Sequence, residues 1–171
     1  MQKNIISTKK LVFAAMLAAL YGVLSALVPD MGVIRMSMLC FLPAAVGGFL
    51  MGPFYAAAIT GLGDLLQCLI KGYAPNPLIS LIAIATGLWY GFALYKRAFS
   101  WKTALLCLLP VFLVCEIGLT PWVLSGLYKQ PFAVTFVDRL WSNLVELPIK
   151  TVLLLAVIPA VKRMPKSFLN L

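Results

Sequence analysis

The sequence contains no histidine. That excludes Ser-His-Asp triads, Ser/His dyads of the rhomboid type and zincin motifs, all of which need an imidazole. Acidic side chains are scarce too, 5 Asp and Glu against 14 Lys and Arg, and charged residues make up only 11% of a chain that is 63% hydrophobic. Soluble domains are about a quarter charged, so an ordinary soluble domain and a disordered chain are both excluded. The apolar residues come in long runs without alternation, which excludes a membrane β-barrel. No Gly-x-x-x-x-Gly-Lys-Ser/Thr occurs, so no phosphate loop is present. There is no CxxC pair, no Asp-rich metal cluster and no nucleophile motif. Cys40, Cys68, Cys107 and Cys115 all lie inside apolar stretches and read as small buried hydrophobes. Neither a cofactor nor a metal is expected, and the enzyme reading is the weakest of those considered.

What is present is a series of apolar runs of membrane-crossing length. A spanning helix takes about 20 residues, so 171 residues hold roughly five to seven spans with little left over. Many secondary transporters carry two pseudo-symmetric halves; no internal repeat is seen here. The runs predict an all-α integral membrane protein, a six-transmembrane-helix bundle forming one membrane-embedded domain over 1–171, with helices at about 11–28, 38–51, 54–70, 78–95, 103–124 and 140–161. The first run exceeds the usual length of a signal-peptide core and reads as a retained helix. Gly52-Pro53 is all that separates the second run from the third, which predicts a tight helical hairpin.

The charges set the orientation. With both termini cytoplasmic, Lys3, Lys9, Lys10, Lys96, Arg97, Lys102, Lys162, Arg163 and Lys166 lie inside, nine of the 14 basic residues, and no acidic residue joins them. This is the positive-inside pattern, and it accounts for most of the +9 charge without nucleic acid. Tyr95, Trp101, Trp122, Tyr128 and Trp141 fall near span ends, as an interfacial belt does.

Four cations remain outside: Arg35, Lys71, Lys129 and Arg139. Trp122, Tyr128, Phe132, Phe136 and Trp141 are near them in sequence, and Asn76, Ser80, Thr120, Ser125, Thr135 and Asn143 offer neutral hydrogen bonds. Guanidinium groups grip carboxylates, and aromatic faces stack on flat rings. The set suits an anionic, partly aromatic solute taken from outside, although anchoring cations in an ordinary belt have the same composition. Within the spans, Asp64, Glu116, Glu146 and Lys150 are costly and therefore functional candidates. Glu146 and Lys150 stand in the favourable i,i+4 order for an ion pair. Asp64 is positioned to hold a cation such as Arg35 or to cap a neighbouring helix. Helix one carries Ala14, Ala18 and Gly22 at i+4 spacing with Ala15 and Ala19 beside them, a smooth strip suited either to packing in the bundle or to docking another subunit.

These residues in this order resemble the substrate-binding S components of energy-coupling factor (ECF) vitamin transporters. The resemblance runs through Lys9–Leu20, Leu42-Pro43-Ala44, Gly48–Pro53, Gly61-Leu-Gly-Asp64 and Thr86–Lys96. The block Thr120–Tyr128, followed by Arg139, Asn143 and Leu147-Pro148-Ile149, looks like the folate-specific branch, while Pro75-Asn76-Pro77-Leu78 and the Glu146/Lys150 pair depart from it. The resemblance implies a multi-pass plasma-membrane subunit that binds folate or a related vitamin from outside. It also implies partnership with a transmembrane T subunit and two cytoplasmic ATPase subunits, with ATP hydrolysed in the partners. Its docking motif falls on Ala14/Ala18 or Ala15/Ala19. Arg139 and Arg35 would hold the glutamate carboxylates, with Lys71, Asn76 and Asn143 as further contacts, and Trp122, Tyr128 or Trp141 would stack on the ring system. Alternatives are an S component for pantothenate or a queuosine precursor, and a structural membrane subunit that binds no solute.

Overall fold

The structure is a computed structural model that describes residues 8–27, 39–72, 74–129 and 131–163, the side chain of Tyr128 excepted. All regular structure in these segments is helical. In chain order the helices are α1 (Thr8–Leu27), α2 (Phe41–Met51), α3 (Pro53–Lys71), α4 (Pro77–Leu94), α5 (Trp101–Pro110), a π-helical segment (Val111–Leu119), α6 (Thr120–Tyr128) and α7 (Phe132–Lys162). The last part of α5, the π segment and α6 continue one another, so Trp101–Leu127 forms a single apolar rod. Five helices among the described residues are long and apolar enough to cross a membrane. At 11 residues, α2 is shorter, about 16 Å against a hydrocarbon core of about 30 Å.

The outside of the bundle is apolar. Phe54 is 80% exposed and Leu69 74%, while the buried centre is built from small residues such as Ala44, Ala45 and Ala56 around Ile59, Leu154 and Ile158. Lipid supplies no hydrophobic drive between helices, so close approach of smooth surfaces has to hold them together. Gly91 shows the consequence: a Cβ there would collide with the backbone of Pro53. On the other side of α3, a Cβ on Gly22 would come within 2.7 Å of Leu66 Cβ.

Local chemistry explains the joints. Gly52 has a φ of 97°, which favours glycine, and serves as both the end of α2 and the start of α3. Pro53 follows at a position where the missing N–H costs nothing. The expected hairpin is therefore present. Asn76 starts α4 by accepting a hydrogen bond from Leu78 N at 2.9 Å. Pro110 cannot bond the carbonyl one turn back, that of Leu106, and the Trp89 indole N–H donates to that oxygen instead at 3.3 Å. Between Pro110 and Pro121 the helix widens to the π form, and the Thr120 hydroxyl donates to Cys115 O at 2.7 Å.

Several boundaries differ from expectation by a few residues, and one by more. α2 begins at Phe41 rather than at residue 38. α7 begins at Phe132, eight residues before the expected start at Leu140, and runs for 31 residues, about 46 Å. Asp138 and Arg139 interrupt the apolar run, and that interruption hid a helix that continues through them.

Candidate functional site

One end of the bundle collects polar side chains. It lies where α1 and α3 end, where α4 begins, and where α6 meets the start of α7. A cavity of about 220 Å³ opens there. Tyr21 and Ser25 reach it from α1, Cys40 from the turn before α2, and Asp64, Gln67 and Lys71 from α3. Ile79, Ile82, Ala83 and Thr86 of α4 form an apolar wall with one hydroxyl. Glu116 of the π segment, Thr120 and Leu124 of α6, and Arg139 of α7 complete the lining.

Helical spacing puts these groups on common faces. Asp64, Gln67 and Lys71 follow i, i+3, i+7 along α3, and Tyr21 and Ser25 follow i, i+4 along α1. Along α7, Thr135, Arg139, Asn143, Glu146 and Lys150 share the inward face, and the neighbouring Trp141 points away, 64% exposed. The widened turn between Cys115 and Thr120 aims Glu116 at the cavity, in line with the frequent use of π turns at functional sites.

The cavity is charged but balanced. Two carboxylates, Asp64 and Glu116, and two cations, Lys71 and Arg139, line it. Asp64 accepts a hydrogen bond from Ser80 Oγ at 2.7 Å and so ties α3 to α4. Deeper in the bundle, Lys150 and Glu146 form the anticipated ion pair at 2.7 Å, with Glu146 almost fully buried. A second, wider cleft of about 420 Å³ lies along the start of α4 and along α6, lined by Asn76, Leu78 and Trp122 among others.

The structure brings Lys71 and Arg139 together in the first cavity. Asn76 and Trp122 border the second, and Asn143 sits below the first, buried beside Glu116. Arg35 lies outside the described residues, as does the side chain of Tyr128. On α1, Ala14, Ala18 and Gly22 are buried inside the bundle, whereas Ala15 and Ala19 face outward. Gln67 and Tyr21 were missed by sequence reasoning, although their helical register with Asp64 and Ser25 carried the signal.

A bundle with five helices long and apolar enough to cross a membrane, and a polar cavity at one end, fits a membrane protein that captures a solute. Comparison with known proteins makes the class specific. Residues 9–160 match the sequence model described as ECF transporter, substrate-specific component, and the chain belongs to that family. It is a substrate-binding transporter subunit and a multi-pass membrane protein, not an enzyme. The chain is similar to the folate transporter FolT of Streptococcus mutans serotype c (strain ATCC 700610 / UA159), 28% identical over 178 residues that cover 94% of this chain and 91% of that one. Its fold is similar to the crystal structure of FolT bound with folic acid. There the TM-score is 0.74 and the identity 26%, covering 87% of this chain and 92% of that one.

Proposed function

We propose that this chain captures folate at the outer face of the plasma membrane and delivers it through an assembly with a T subunit and two ATPase subunits. The observation that carries this reading is the convergence of Lys71 and Arg139 from distant helices on one cavity. Two cations there can take the two carboxylates of a glutamate tail, and an isolated anion would not be taken from water into a membrane bundle without such partners. The cavity of about 220 Å³ is smaller than the roughly 300–1,000 Å³ typical of ligand pockets, and suits one part of such a ligand. The neighbouring cleft offers Trp122 for stacking and Asn76 for a hydrogen bond to another part. Arg35 and Tyr128 remain candidate contacts. Trp141, which lines neither of these two spaces, is assigned to the aromatic belt instead.

In this reading the chain crosses the membrane six times with both termini inside. The short α2 makes one crossing by a thinner path, and the cations near Lys96 and Lys162 mark the cytoplasmic side. Ala15 and Ala19, smooth and outward-facing, form the surface for the T subunit. The test is uptake of labelled folic acid in cells without their own folate transport. Co-expression with T and ATPase subunits should give accumulation, and omission of the ATPases should abolish it. Accumulation that persists without the ATPases would overturn the proposal.

A further inference from the structure

Below the ligand cavity lies a void of about 10 Å³, the size that a single water needs. Glu116 lines both spaces. The other polar walls of the void are Asn143 and Lys150; its apolar walls include Tyr90 and Leu147. Asn143 is 4% exposed, and its amide nitrogen has no hydrogen-bond partner. An amide N–H₂ buried without an acceptor is costly, and native interiors resolve that cost with a bound water when space and polar partners exist. Here the space is present, and a carboxylate forms another wall of it.

We propose that one water in this void joins the Asn143 amide to the Glu116 carboxylate, and that Glu116, held in this way, reads N–H donors on the heterocycle of the ligand. The reading rests on folate as the solute. A pterin ring presents an amino group beside a ring N–H, and a carboxylate accepts from both. Asp64 is the other carboxylate of the cavity, and it is already engaged by Ser80. Glu116 is carried on the widened π turn, where it faces the cavity on one side and the void on the other. Lys150, paired with Glu146 at 2.7 Å, forms a further polar wall of the void. Asn143 is thus a positioning residue, acting through Glu116.

The test measures binding of two ligands to the purified full chain: folic acid, and a folate analogue whose 2-amino group is replaced by methyl. The wild-type chain should prefer folic acid by about tenfold or more, the usual worth of a charge-assisted hydrogen bond. Glu116→Gln should remove that preference by weakening folic acid alone. Asn143→Ala should shift the preference in the same direction, and should add nothing in the Glu116→Gln background. Asn143→Leu keeps the volume while removing the amide, and should behave like Asn143→Ala if that variant folds poorly. Equal weakening of both ligands in Glu116→Gln, or additive effects in the double variant, would overturn the proposal. A wild-type chain that binds folic acid without preferring it over the analogue would also overturn it. A wild-type chain that binds neither ligand would overturn the folate reading itself.

Discussion

Arg139 occupies the second turn of α7, between Thr135 and Asn143 on the inward face, and it lines the cavity together with Lys71. Truncating a charge that grips a carboxylate in a half-enclosed site leaves the partner unpaired, and such losses run to about 2–5 kcal/mol. Arg139→Ala should therefore weaken folic acid binding by about that amount, measured by calorimetry on the purified chain. An unchanged affinity would reassign Arg139 to anchoring at the membrane surface. The chemistry of this residue was legible in the sequence, because a cation left outside against the positive-inside gradient needs a reason. Its partners were less so. Gln67 and Tyr21 look unremarkable until the register of α3 and α1 is known, and only the structure sets Trp122 against the second cleft.

At the scale of the helix, α1 shows what spacing reveals and what it hides. The i+4 series Ala14, Ala18 and Gly22 is smooth because other helices press on it; Ala18 is 3% exposed, and Gly22 lies against Leu66 and Gly63 of α3. The adjacent Ala15 and Ala19 are equally small and face outward. Sequence alone gives both series the same character, since bundle packing and subunit docking select the same small residues. The two should separate by substitution. Ala18→Leu should overpack the interior and cost about 1–3 kcal/mol, read as a lower melting temperature. Ala15→Leu with Ala19→Leu should leave melting and folate binding unchanged and abolish copurification with the T subunit. Retained copurification would place that docking surface elsewhere. The rod from α5 to α6 was legible as one apolar span, but its π segment was not. Two prolines eleven residues apart announce broken hydrogen bonds, and only the structure shows Trp89 filling the gap that Pro110 leaves.

Taken whole, the molecule is a narrow apolar bundle, polar at one end and basic at the other. Lys162 lies over the Phe49 ring at 5.6 Å and Lys96 over Tyr95 at 5.1 Å, so part of the basic end is packed against aromatic faces. Long apolar runs made the helical class readable from composition, because few polar groups survive in lipid unless paired. The depth of the cavity was not readable, because it depends on α7 starting at Phe132 and carrying its polar face inward past Arg139. If partner subunits supply the energy, as proposed, the chain alone has to hold its solute tightly before they act. Equilibrium titration of the purified chain with folic acid, with no partner subunits present, measures that directly. Capture of folate predicts saturable binding of one ligand per chain with a submicromolar Kd. Binding that stays undetectable at micromolar folic acid, by a chain that remains folded, would contradict it.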